Sequence, residues 1–199
     1  MKIHPIEAES YRIMNERVDL SRWQPGARDV VARLIHASAD VEYATTAVIG
    51  SHAVVHGIEA LKAGAPVVTD VEMVRAGITG VETQCYLAHA QAQADPADEL
   101  TRSAAAMRLA AADHPKGAVF VVGCAPTALF ELVRLHGEGL VHPALVVGLP
   151  VGFVGAKESK EAVRQSGLAH IAITNIGEKG GSAVAAAAVN ALARFARAR

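Results

Sequence analysis

Asp29, Arg33, His36 and Asp40 follow one another at steps of four, three and four residues, so on a helix they share one face, opposite a stripe that begins with Val30 and Leu34. An imidazole beside a guanidinium and a carboxylate is equipped for general acid and base chemistry, because histidine titrates nearest to neutrality. The plain alternative is a solvated face, which charge patterning by itself favours. Cys124 lies between a Val-rich run and a helical segment, where a helix N-terminus can lower a thiol's pKa and make it a nucleophile. A small cysteine filling a tight turn has the same signature, and Cys85, within an apolar run, reads as packing.

Other patterns exclude chemistry. Of the nine histidines only His52 and His56 form an i, i+4 pair, and no Glu follows His52, so no zinc site and no metal is expected. Gly148, Gly152 and Gly155 miss the dinucleotide spacing, and Gly177 to Ser182 is not a phosphate-binding loop of the Walker type. The physics of such loops remains: glycine lets backbone N–H groups approach an anion, and the helix that follows adds its positive end. A carboxylate ligand suits them, although glycines that only turn the chain would look alike.

The elements that must position these groups are legible from period and punctuation. Helices are expected at Glu7 to Arg17 and from Pro25 to Asp40, the second with Val30, Leu34, Ala37 and Val41 as its apolar face. A third runs from Ser51, its cap, to Ala63, stopped by Gly64. Four strand-turn-helix units follow, with strand runs at Ala65 to Asp70, Ala118 to Val122, Ala144 to Val147 and His170 to Thr174. Val81 to Leu87 reads as a fifth strand, and Ala97 to Ala112 as a helix carrying Arg102 and Arg108. The expected fold is α/β, a doubly wound, mostly parallel sheet flanked by helices with an N-terminal helical segment, in a single domain over residues 1–199. Its ligand belongs beyond the carboxyl ends of the strands, where every distinctive loop falls.

Composition bounds the partners. Nineteen Lys and Arg against twenty Asp and Glu leave a net charge of −1, so no nucleic acid is expected. Gly139 to Ala156 runs eighteen residues without a charge, but four Gly, two Pro and His142 mark it as core and not a membrane span. Two cysteines and a charged N-terminal stretch point to the cytoplasm.

Several segments together resemble the precorrin-8X methylmutase family of corrin biosynthesis, which includes cobalt-precorrin-8 methylmutases. They are Ile35-His36-Ala37-Ser38, Ala60 to Val74, Thr101 to Ala105, Ala125 to Phe130, Val151 to Lys160 and Gly180-Gly181-Ser182, in the family's order over nearly the whole chain. The resemblance implies an isomerase that moves a methyl group from C11 to C12 of a polycarboxylate tetrapyrrole, giving hydrogenobyrinate or its cobalt counterpart, without a cofactor. It implies His36 as the catalytic residue that protonates the macrocycle and takes the proton back. Ser10, Arg33 and Arg102 match substrate-site positions, and Thr127, Gly152, Gly180, Gly181 and Ser182 fall in loops that would complete the contacts. It also implies a homodimer or higher homo-oligomer with sites near the subunit interface. Cys124 stands where many members have Asn, and Asn175 to Lys179 replaces an Arg-Gly pair. The rival readings are a corrinoid carrier without turnover and a thiol enzyme using Cys124.

Overall fold

A computed structural model describes residues 4–92 and 100–197. The chain opens with helices α1 (Pro5–Arg17) and α2 (Pro25–Ser38), each begun by a proline in the first turn, where no N–H is missed. A short helix α3 (Tyr43–Thr46), strand β1 (Ala47–Ile49) and helix α4 (Ala53–Lys62) follow. Gly64, at φ 72°, supplies the left-handed turn that stops the chain after α4. Next come β2 (Val67–Thr69), α5 (Glu72–Gly77), β3 (Gln84–Cys85), α6 (Leu87–Ala92) and α7 (Arg102–Asp113). The last third is β4 (Val119–Val122), α8 (Pro126–Gly137), β5 (Leu145–Gly148), α9 (Ala156–Gln165), a 3-10 turn (Ala169–Ile171), β6 (Ala172–Asn175) and α10 (Ser182–Arg197).

Among the described residues the six strands form one sheet in the order β1-β6-β5-β4-β2-β3, parallel except for β1 at the edge. Alternate residues of a strand face opposite sides, and here both sides are covered. Val119, Val121 and Val147 join a core with α2, α4, α5 and α10, whereas Phe120, Val122 and Val146 join a second core with α7, α8 and α9. The sheet is therefore doubly wound. From β2 the chain steps outward to β3, then returns past β2 to β4 and continues to β6, so its direction reverses between β2 and β4. At such a reversal the loops of adjacent strands part and leave a crevice.

Several sequence expectations shift. Helix α2 ends at Ser38 because Ala39 turns left-handed at φ 55°, which leaves Asp40 outside the helix. Its buried stripe is Val30, Val31, Leu34 and Ile35, while Ala37 and Val41 are exposed near or beyond its end. Ser51 does not cap α4, which starts at Ala53 without a side-chain cap; the Ser51 hydroxyl meets His52 Nδ1 instead. The run from Val81 to Leu87 contributes only the two residues of β3. Thr101 caps α7 by accepting from Ala104 N, and residues 97–99 of the expected helix lie outside the described residues. The uncharged run of 139–156 becomes β5 and its flanking loops, and among the described residues no helix is long and apolar enough to cross a membrane.

Candidate functional site

His36 lies in the last turn of α2. Because β1 is antiparallel and pairs Ala47 with Asn175, the chain between α2 and β1 arrives at the carboxyl end of the parallel strands. The imidazole therefore sits at the end of the sheet where the long loops gather. Its neighbours come from α1: Ser10 Oγ is 3.0 Å from Nδ1, and the Tyr11 ring stacks on it with centroids 4.8 Å apart and planes 8° from parallel. One ring nitrogen and one ring face are thus held, while Nε2 has no hydrogen-bond partner among the described residues. A hydroxyl on Nδ1 can donate or accept, so it can follow either protonation state of the ring.

The four-residue face read from the sequence splits in two. Arg33 turns to α1, where its guanidinium pairs with Glu7 at 2.9 Å and lies 5.6 Å from the Tyr11 ring centroid. Burial pushes the Tyr11 phenol up, and the Arg33 charge pulls the other way. Asp40, beyond the helix, pairs with Lys179 at 2.6 Å, and Glu42 joins the same ammonium at 2.7 Å. The hydrogen bond from Lys179 holds the Asp40 carboxyl below its usual range. The imidazole consequently touches a hydroxyl and a phenol ring in place of the ion pair that spacing suggested, and α1 covers the face that charge patterning left to solvent.

Beside His36 is an open hollow of about 120 Å³ lined by Ser10, Ile13, Met14, Arg17, Ile35 and Val41, among others. It is mostly apolar, with Arg17 in its lining and no ion-pair partner for that side chain among the described residues. A second hollow, of about 220 Å³, lies between α2 and α10 and is lined by Asp29, Arg33 and Arg194 with Ala191 and Phe195.

The loops at the carboxyl ends are tied to one another. Asp70, just after β2 and only 1% exposed, accepts from the backbone N–H groups of Gly123, Cys124 and Ala125 at 3.1, 2.8 and 2.8 Å. Burial pushes its carboxyl up, and these three donors oppose that push. The Asp70 carboxylate spans the crevice between β2 and β4 and occupies the amides that lead into α8. Cys124 is exposed, but burial of its sulfur and the charge of Asp70 push the thiol up, against the lowering expected at a helix start. A thiolate at Cys124 is disfavoured for a second reason: the helix-start amides already hold an anion.

Gly152 N donates to Glu178 O at 3.2 Å and Gly181 N to Leu149 O at 2.8 Å, so those amides join loop to loop. A Cβ at Gly180 would run into the carbonyl oxygens of Leu149 and Pro150, which makes glycine obligatory there. Ser182 opens α10, and its Cα comes within 3.1 Å of where a Cβ on Gly123 would stand. Thr127 Oγ1 meets Thr101 Oγ1 at 2.7 Å, and Arg102 follows Thr101 as the first residue of α7. Thus Thr127, Gly152, Gly180, Gly181 and Ser182 belong to one set of linked loops, while His36 and Ser10 stand at the α1–α2 side of the same end. No cluster of three or more His, Cys, Asp or Glu placed to hold a metal occurs among the described residues.

The model of the precorrin-8X methylmutase family matches residues 5–195. The chain belongs to that family. It is 41% identical to the cobalt-precorrin-8 methylmutase of Methanothermobacter thermautotrophicus, over 95% of this chain and 91% of that protein. It is 40% identical to the precorrin-8X methylmutase of a Sinorhizobium species, over 95% and 93%. The crystal structure of precorrin-8X methyl mutase from Thermus thermophilus superposes with a TM-score of 0.87 at 37% identity, covering 96% of this chain and 95% of that one.

Within a methylmutase frame, sequence reasoning missed Tyr11, Arg17, Asp70 and Lys179. Helical spacing reports only neighbours on one helix, and Tyr11 reaches His36 across a gap of twenty-five residues. For Asp70 a signal existed: a carboxylate ending a buried strand must find donors, and a loop beginning Gly-Cys-Ala before a helix offers three.

Proposed function

We propose that this chain is an isomerase of cobalamin biosynthesis that moves a methyl group from C11 to C12 of precorrin-8X or its cobalt form, with His36 as proton donor and acceptor. The supporting observation is the half-buried imidazole fixed by Ser10 and Tyr11, with Nε2 left without a hydrogen-bond partner among the described residues. A methyl shift within one molecule needs neither a nucleophile nor an electron acceptor. It needs a held conformation and a proton that withdraws electron density from the ring while the carbon migrates, then returns to its donor. Nε2 can give and recover that proton while Nδ1 keeps its own proton in the hydrogen bond to the Ser10 hydroxyl. The mostly apolar hollow beside the ring suits the edge of a macrocycle, and Arg17, with Arg33, Arg102 and the linked loops, suits its carboxylates.

About 120 Å³ is well short of the roughly 300–1,000 Å³ that encloses an ordinary small ligand, and a tetrapyrrole is larger than most. A second copy of the chain completes the site, in a homodimer or higher homo-oligomer of single-domain chains working in the cytoplasm. The decisive experiment mixes purified protein with precorrin-8X and follows the visible spectrum as the chromophore lengthens. His36→Ala should fold and bind hydrogenobyrinate, yet turn over about 10²–10⁴-fold more slowly. Undiminished turnover by that variant removes the proposal.

A further inference from the structure

The proton transfer above leaves unused a cation buried under the loops. Lys160, on α9, is 0% exposed. Its Nζ donates to Asn175 Oδ1 at 3.0 Å and to the Lys179 carbonyl at 2.7 Å, and no carboxylate of the described residues forms an ion pair with it. Asn175 is fixed in turn: its Nδ2 donates to the Ile176 and Lys179 carbonyls, and Arg164 donates to its backbone oxygen. The same loop sends the Lys179 side chain to Asp40 and Glu42 past the end of α2, and holds Gly152 through Glu178 O. One ammonium therefore anchors, from inside, the loop that joins the β5–α9 turn to the helix carrying His36. A neutral donor could serve two acceptors without the penalty of burying an unpaired charge, so the charge itself calls for a role.

We infer that Lys160 is a positioning residue for substrate binding, whose buried positive charge pins the loop from Asn175 to Gly181 and adds an attractive field for the carboxylates of the tetrapyrrole. This rests on the reading that the substrate is a polycarboxylate macrocycle. A charge without a counter-ion in a poorly polarisable interior acts further than the same charge on the surface, where water and salt screen it.

The role carries a pH signature. Burial, then the Arg164 charge, pull the Lys160 ammonium down to about 8, and Glu178 opposes them. Of the other elements packed on α9, β6 carries no ionisable side chain, α8 brings Glu131, paired with Arg108 and Arg134, and His136, whose Nδ1 meets the Val141 carbonyl, and the turn before β6 brings His170, which stands against His52. Below about 8 the loop has a cation beneath it, and above that value it has a neutral amine.

The test is the affinity of the full chain for hydrogenobyrinate, followed by absorbance from neutral to mildly alkaline pH. For the wild type, Kd should rise roughly fivefold through that range. Lys160→Met should bind roughly fivefold more weakly at neutral pH and lose the step, with kcat changed far less than KM. Glu178→Gln leaves both bonds of Lys160 in place and should move the step to lower pH, which keeps the test decisive if Lys160→Met does not fold. A wild-type affinity that is flat with pH, or a step unmoved in Glu178→Gln, overturns the inference. Absent turnover alongside product binding that keeps its pH step overturns the methyl-shift reading and leaves this one standing.

Discussion

Ser10 and Tyr11 are adjacent in sequence and hold different parts of the same imidazole, one a ring nitrogen and the other a ring face. A proton donor swung away from its target loses rate steeply, because a misplacement of about 1 Å can cost on the order of 10²-fold. Replacing the phenol ring by an aliphatic side chain lets the imidazole rotate without removing it. Tyr11→Leu should therefore lower kcat about tenfold with KM little changed, while Tyr11→Phe keeps the wild-type rate. Steady-state kinetics on precorrin-8X distinguish the two, and a Tyr11→Phe variant as slow as Tyr11→Leu would shift the role from the ring to the hydroxyl. The histidine can be singled out in the sequence as a candidate, since its neighbours at steps of three and four mark a polar face. Its partners cannot, because Arg33 and Asp40 each find a closer opposite charge, Glu7 and Lys179, on elements distant in sequence.

At the scale of elements, the link between β2 and α8 rests on one carboxylate. Asp70 satisfies three consecutive amides in a buried setting, and an uncharged amide side chain brings its own N–H groups against them. Asp70→Asn should leave at least one buried donor unpaired and cost about 1–3 kcal/mol. Urea unfolding should show this as a lower midpoint with an unchanged slope; an unmoved midpoint would mean that the loop holds itself. The parallel strands and their helices could be read in advance because Val-rich runs alternate with helical periods and each turn is marked by Gly, Pro or Asp. Strand β1 could not, because three residues following directly on α3 carry neither an alternation nor a turn signal. Val81 to Leu87 misled for the opposite reason: its apolar residues suggest a strand, but at the sheet edge only Gln84 and Cys85 pair with β2.

For the molecule as a whole, the proposed site is open on one side, and apolar side chains stand in solvent at the same end. Phe153 and Val154, at the tip of the β5–α9 loop, are 98% and 88% exposed, and Val41 beside the His36 hollow is also exposed. Apolar surface left uncovered at a site too small for its ligand favours association of like chains. Sedimentation should show a dimer or larger species, and turnover per chain should fall when the protein is diluted below its association range. A species that stays monomeric at all concentrations with constant specific activity would mean that one chain suffices. The carboxylate of Asp70 has one more consequence. Open sheets of this kind commonly receive phosphate at the reversal of strand order, but here the amides are spent and a negative charge guards them. ATP and sugar phosphates, abundant in any cell, are therefore expected to find no perch in that crevice.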